Sequence, residues 1–254
     1  MIFDLRKAGL LKRIPAWILD AILISILAVF GAWALSSLLN YDSYQSTLSA
    51  AYEKYASEYG ITRELAYTEP SLLTQEQIDQ LNAASAAIAA DSEAVYAYNM
   101  VINLQMLIVT FGLLFAFLVL EFVVPLVLKD GQTVGKRIFG VGLMHAEGIR
   151  ITHVGLFVRA ILGKYAVGTM IPACCLITII NGTAQPLLLL AAAAVLLVQL
   201  GMLVFSRNHL LLHDRMSMTV AVDLASQMIF STREEMLEYK KKAHAERVAA
   251  QSQA

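Results

Sequence analysis

The chain has 254 residues, 58% of them hydrophobic and only 15% charged, with a mean hydropathy of +0.62 and a formal charge of −1. A soluble domain usually carries about 25% charged residues, so this composition excludes an ordinary soluble fold and calls for an apolar solvent as well as a core. The two cysteines, Cys174 and Cys175, are adjacent inside an apolar run, which excludes a disulfide framework and matches no metal-site spacing.

Residues 1–13 form a basic segment in which Arg6, Lys7, Lys12 and Arg13 oppose Asp4. Residues 14–39 are the first stretch able to cross a hydrocarbon core of about 30 Å, which takes roughly 17–25 helical residues. The length of the stretch and its internal Asp20 argue against a cleaved signal peptide. Pro15 suits a first helical turn, which places Arg13 just outside the helix and Asp20 one to two turns inside it.

An acidic insertion follows over residues 40–99, with nine acids against Lys54 and Arg63 between residues 41 and 98. Its helix formers, and the capping signal of Thr74 with Gln77, predict helices rather than a disordered linker. Tyr41, Tyr44, Tyr52, Tyr55 and Tyr59 recur at near-helical spacing, the pattern of a packed face or an interfacial aromatic belt.

Residues 100–128 form the second span and carry Glu121 near the end; residues 129–163 are then a basic loop. Six bases face two acids between residues 129 and 164. Under the positive-inside rule this loop and the N-terminal segment lie in the cytoplasm, and the acidic insertion lies on the far side. The loop contains GQTVGKRIFG, which fails as a phosphate-binding loop: three residues separate Gly131 from Gly135, and Lys136 is followed by Arg137. Its glycines are expected to turn the chain at the membrane, with Lys136 and Arg137 at the headgroups.

Residues 164–180, interrupted by Pro172, and residues 185–205 are the third and fourth spans, joined as a hairpin by Asn181, Gly182 and Thr183. Residues 206–254 complete the chain as a cytoplasmic segment ending in a charged tail helix, capped by Thr232 with Glu235. The expected fold is therefore an all-α polytopic membrane protein: four transmembrane helices, a helical extracytoplasmic insertion, and both termini cytoplasmic.

Asp20 is the most informative residue, because a charge at the centre of a bilayer costs on the order of 2.5–3.5 kcal/mol. Arg13 precedes it by seven residues, which in a continuous helix puts the two within about 20° of one another. Glu121 is the second acid inside a span, and at about 1.5 Å of rise per residue the two carboxylates fall at similar depth. Carboxylates at one depth can share a cation or a proton. Arg13, Arg159, Lys164 and Arg215 lie toward the same face, so a second reading stands beside the first: each acid is neutralised and only fixes helix packing. His209 and His213 share a helical face next to Asp214, but no third ligand falls at a fixed spacing, and no metal or cofactor is expected. No Ser/His/Asp or Cys/His constellation suggests an enzyme.

Together these segments resemble a known family. Arg13, Ala16 and Asp20 in the first span, Glu121 before GQTVGKRIFG, FVRAILGKY around Arg159, and HDRMSMTVAVD around Asp214 are similar, in this order, to the RDD family of bacterial integral membrane proteins. The arginine and two aspartates that name the family carry over to Arg13, Asp20 and Asp214. The long acidic insertion and a fourth span depart from the minimal pattern and look like those of longer members. The resemblance implies a plasma-membrane location and, since some members are associated with sodium/proton exchange, handling of monovalent cations and protons by Asp20, Glu121 and Asp214, with Arg13, Arg159 and Arg215 as charge partners. The alternative is a membrane scaffold or accessory subunit. It would bind a protein partner, or its own copies, through the acidic helices and tail. Beyond the lipid bilayer and these partners, no nucleic acid is expected.

Overall fold

The computed structural model describes residues 6–205 and 210–251. Besides a one-turn helix at Arg63–Tyr67, the α-helical segments among the described residues are, in chain order, α1 (Leu10–Leu38), α2 (Tyr41–Glu58), α3 (Gln75–Ala90), α4 (Ser92–Val127), α5 (Val134–Ile138), α6 (His153–Ile180), α7 (Pro186–Phe205), α8 (Leu212–Met216) and α9 (Arg233–Gln251). Two strands, β1 (Val141–His145) and β2 (Thr219–Asp223), pair antiparallel with Val141 opposite Asp223 and His145 opposite Thr219. Three helices, α1, α4 and α6, are long and apolar enough to cross a membrane, and α7 is a shorter apolar helix. On α1 the side chains of Trp17, Ile22, Ile26 and Val29 are all more than half exposed, an outer surface suited to lipid rather than water.

The helices start earlier than the apolar patterns alone predict. Helix α1 begins at Leu10, where the Gly9 carbonyl accepts the Lys12 and Arg13 amides, so Arg13 is inside the helix and Pro15 lies past its first turn. Helix α4 begins at Ser92, capped by Asp91 Oδ1, which accepts from the amides of Glu93 (2.9 Å) and Ala94 (3.2 Å). Helix α6 starts at His153 rather than Lys164, so part of the expected basic loop is helical. Pro172 does not end α6: it sits at the first turn of the α-helical half, Ile171–Ile180, directly after a π-helical half.

The chain divides into two compact units, residues 1–30 with 112–254, and residues 31–111. In the first, a small two-stranded sheet is added to the helices that make up most of the fold, as the all-α expectation has it. Val141, Leu143 and Ala221 pack with Ala8 and Phe139 on one face, and Met144, Val220 and Val222 pack with Leu210 and Ile229 on the other. A strand buried on both faces reads as a continuous apolar run without alternation, and its partner is distant in sequence. Further bridges join Lys7 to Val222 and Ile149 to Phe230. Helix α9 sits against this layer through buried Met236 and the Phe230–Tyr239 ring pair, with centroids 5.4 Å apart. Its N-terminal cap is as expected: the Glu235 amide donates to Thr232 Oγ1 at 3.2 Å.

The second unit is helical, as the insertion predicts. Leu48, Ala97 and Val101 form its core with Tyr41 and Tyr44 against them. Tyr55 donates its hydroxyl to Asp91 Oδ2 at 3.0 Å, so part of the tyrosine series is packing surface. Tyr52 remains exposed. The Thr74–Gln77 capping box is formed in both directions.

Candidate functional site

The buried charges of the first unit converge on three carboxylates, each held differently. Asp20, on α1, is 6% exposed. Its Oδ2 accepts the Thr133 hydroxyl at 2.5 Å and its Oδ1 accepts the Gly135 amide at 2.8 Å. Thr133 is the N-cap of α5, so Asp20 also faces the first turn of a short helix. This approach depends on Gly135: a Cβ there would lie 2.2 Å from the Ala16 carbonyl oxygen. The motif GQTVGKRIFG is therefore a clamp for α1.

Glu121, 4% exposed, lies in a π-helical stretch of α4, Leu118–Val123. One oxygen accepts from Lys164 Nζ, and the other is 3.8 Å from Lys136 Nζ. Lys136 is buried and also donates to Thr133 Oγ1 at 3.3 Å. Burial pushes the Lys136 ammonium down to about 8, against the opposing pull of Glu121 and with the repulsion of Lys164 and Arg159. Lys136, expected at the headgroups, is instead a member of the buried network; its neighbour Arg137 is exposed.

Asp214, 1% exposed, is the most heavily engaged. Arg159 donates to Oδ1, Arg13 lies 3.8 Å from Oδ2, and the Leu211 amide donates to Oδ2 at 3.0 Å. Arg159 also donates to Thr219 Oγ1 at 2.6 Å, tying α6 to β2. Burial, the largest single influence, would raise the Asp214 carboxyl, but the charge and hydrogen bond of Arg159, with the adjacent His213 and the Leu211 amide, together outweigh it and hold the group well below the usual carboxylate range. Burial and Arg159 together hold adjacent His213 well below its ordinary value, which leaves it neutral at pH 7. Helix α8 reaches this position because Gly163 on α6 has no Cβ; one there would lie 2.5 Å from His213 Cβ.

The π-helical backbone explains how α6 offers two bases to one interior. Arg159 and Lys164 are five residues apart within Val158–Met170. In an α-helix that separation turns them about 140° from each other. With i→i+5 hydrogen bonds, residues five apart fall in successive turns on one face. An apolar layer borders the cluster: Phe117, Ala160, Ile161 and Tyr165, packed with Ile24, Leu113 and Phe122.

Of the residues singled out from the sequence, Asp20, Glu121, Asp214, Arg13 and Arg159 are thus in one buried region. Arg13 lies 3.8 Å from Asp214. Asp20 and Glu121 are joined through Thr133 and Lys136. Arg215 is exposed and outside the network. His209 lies outside the described residues, and among the described residues no group of three or more His, Cys, Asp or Glu side chains could hold a metal ion. Sequence reading missed Thr133, gave Gly135 only a role in turning the chain, and misplaced Lys136; the available signal was Thr133 itself, a residue type favoured at helix N-caps that gives the loop a helical turn of its own.

In comparison with known proteins, the model of the RDD family matches residues 7–218, most of the chain. No curated protein and no solved structure matches.

Proposed function

This chain belongs to the RDD family of membrane proteins, and on that premise we propose that it exchanges a monovalent cation for a proton in the bacterial plasma membrane, with Glu121 as the exchanging carboxylate and Lys136 as the proton carrier. The observation that carries the reading is the pair of lysines on Glu121. Among the described residues, the cluster sets Arg13, Lys136, Arg159 and Lys164 against Asp20, Glu121 and Asp214, four bases to three acids. If Lys136 gives up its proton and a monovalent cation takes its place at Glu121, the charge of the buried cluster is unchanged. The low proton affinity of Lys136 supports this step near neutral pH. Asp20 is less suited to the exchange, since both of its oxygens are engaged by α5. In this reading Asp214, held by Arg13 and Arg159, orients the cytoplasmic entrance. Four spans with both termini cytoplasmic fit the basic N-terminal segment and the basic stretch after α4.

The experiment is cation-dependent proton flux in proteoliposomes of purified protein. Wild-type flux, lost in Glu121→Gln, is the expected result; flux-free wild type, or a Glu121→Gln variant as active as wild type, would overturn the reading.

One observation favours a second reading, a scaffold or accessory subunit. The unit of residues 31–111 is compact by itself; it exposes Tyr52, Tyr67 and Tyr96 and carries nine acids against two bases. Crosslinked pull-down from membranes separates the two: recovery of homo-oligomers alone counts against a hetero-partner.

A further inference from the structure

We propose that the Thr133 hydroxyl couples Asp20 to the Lys136–Glu121 pair, making Thr133 a positioning residue that transmits the state of Asp20 to the exchanging carboxylate. Thr133 Oγ1 lies 2.5 Å from Asp20 Oδ2, 3.3 Å from Lys136 Nζ and 3.4 Å from the Lys136 amide. A hydroxyl has one proton to give and two lone pairs. The carboxylate only accepts and the ammonium only donates, so the direction of the chain is fixed: Lys136 donates to Thr133, and Thr133 donates to Asp20. The same Lys136 Nζ faces Glu121 Oε2 at 3.8 Å. All of these groups are buried, so none of them has bulk water as a ready substitute partner.

This arrangement makes the charge of Asp20 visible at Lys136. In Asp20→Asn the single carbonyl oxygen can serve the Gly135 amide, which turns the NH₂ group toward Thr133. The hydroxyl must then rotate to accept, and its proton turns toward one of its two remaining neighbours, Lys136 Nζ or the Lys136 amide, donor against donor in either case. Lys136 loses its seat although nothing that touches it directly has been changed. A through-space interaction between Asp20 and Lys136 would not need the hydroxyl at all, and that difference is measurable.

The test is a double-mutant cycle on the full-length protein in detergent, read as Tm. Asp20→Asn and Lys136→Met are made singly and together, in three backgrounds: Thr133, Thr133→Ser, which keeps the hydroxyl, and Thr133→Val, which removes it. For groups sharing one network, the pair should depart from additivity by about 2–4 °C. That departure is expected with Thr133 and with Thr133→Ser, and it should shrink toward zero with Thr133→Val. Equal non-additivity in all three backgrounds assigns the coupling to charge alone and overturns the proposal; additivity with Thr133 itself also overturns it. If Thr133→Val does not fold, Thr133→Cys, of similar size but a weak donor, takes its place with the same two outcomes. The purpose given to the coupling rests on the exchange reading, but the two fail separately. A coupled cycle in a protein without flux keeps the relay and removes the exchange; flux with an uncoupled cycle does the reverse.

Discussion

A methyl group on Gly135 would meet the Ala16 carbonyl oxygen at 2.2 Å and Asp20 Oδ1 at 2.9 Å, whereas one on Gly9 would have nothing within 4 Å. Gly135→Ala should therefore lower stability by about 1–3 kcal/mol, the usual cost of overpacking, while Gly9→Ala changes little. Thermal unfolding checks the pair, and equal Tm values would contradict the clamp. Lys136 makes a prediction about pH. Its proton affinity in the folded protein is pushed down from 10.5 to about 8, first by burial, so the unfolded chain binds more protons between those two values. Stability from this group is complete above about pH 10.5 and is lost as pH falls through about 8. The Tm of wild type relative to Lys136→Met should accordingly rise from pH 8 toward 10. A flat difference would place Lys136 in water.

At the scale of elements, the junction of α6, α8 and β2 depends on one carboxylate. Asp214→Asn leaves Arg159 buried beside Thr219 with its principal charge partner gone, and breaking a buried pair in this way costs about 3–5 kcal/mol. Arg215→Ala, one residue away but exposed, should stay within about 0.5 kcal/mol of wild type. Denaturation of the two variants in parallel distinguishes a local lock from a general basic patch; comparable losses would refute it. The π-helical half of α6 has a related role. It places Arg159 and Lys164 on one face, so the helix serves Asp214 and Glu121 together.

At the scale of the whole molecule, the charge pattern predicts opposite sides for the acidic insertion and the tail. With Cys174 and Cys175 replaced by serine, Glu64→Cys should react with an impermeant thiol reagent in intact cells. Glu238→Cys should react only after the membrane is opened. Both positions are exposed, so labelling of both from outside would reverse the proposed topology for the tail. The proposed exchange also belongs to this scale, because it would need the cluster, the spans and a path on each side. Cation-dependent flux that survives Glu121→Gln would move the exchanging site elsewhere.

What the sequence determined by itself was local. Apolar length marked the long helices α1, α4 and α6, the balance of Lys and Arg against Asp and Glu set the insertion apart in composition from the basic segments, and the capping pairs at Thr74 and Thr232 started helices at those residues. The chain order of Arg13, Asp20, Glu121, Arg159 and Asp214 carried the family, whose match over residues 7–218 agrees with it. Tertiary structure decided the partners. Arg13 and Asp20 share a helix, yet Arg13 is near Asp214 and Asp20 accepts from Thr133 and Gly135. No periodicity encodes a contact across more than 100 residues. The sheet was hidden for the same reason, compounded by burial on both faces. A buried charge must be neutralised and hydrogen-bonded by whichever groups the fold brings within reach; the sequence shows that Asp20 needs partners, and only the packing of α5 against α1 supplies them.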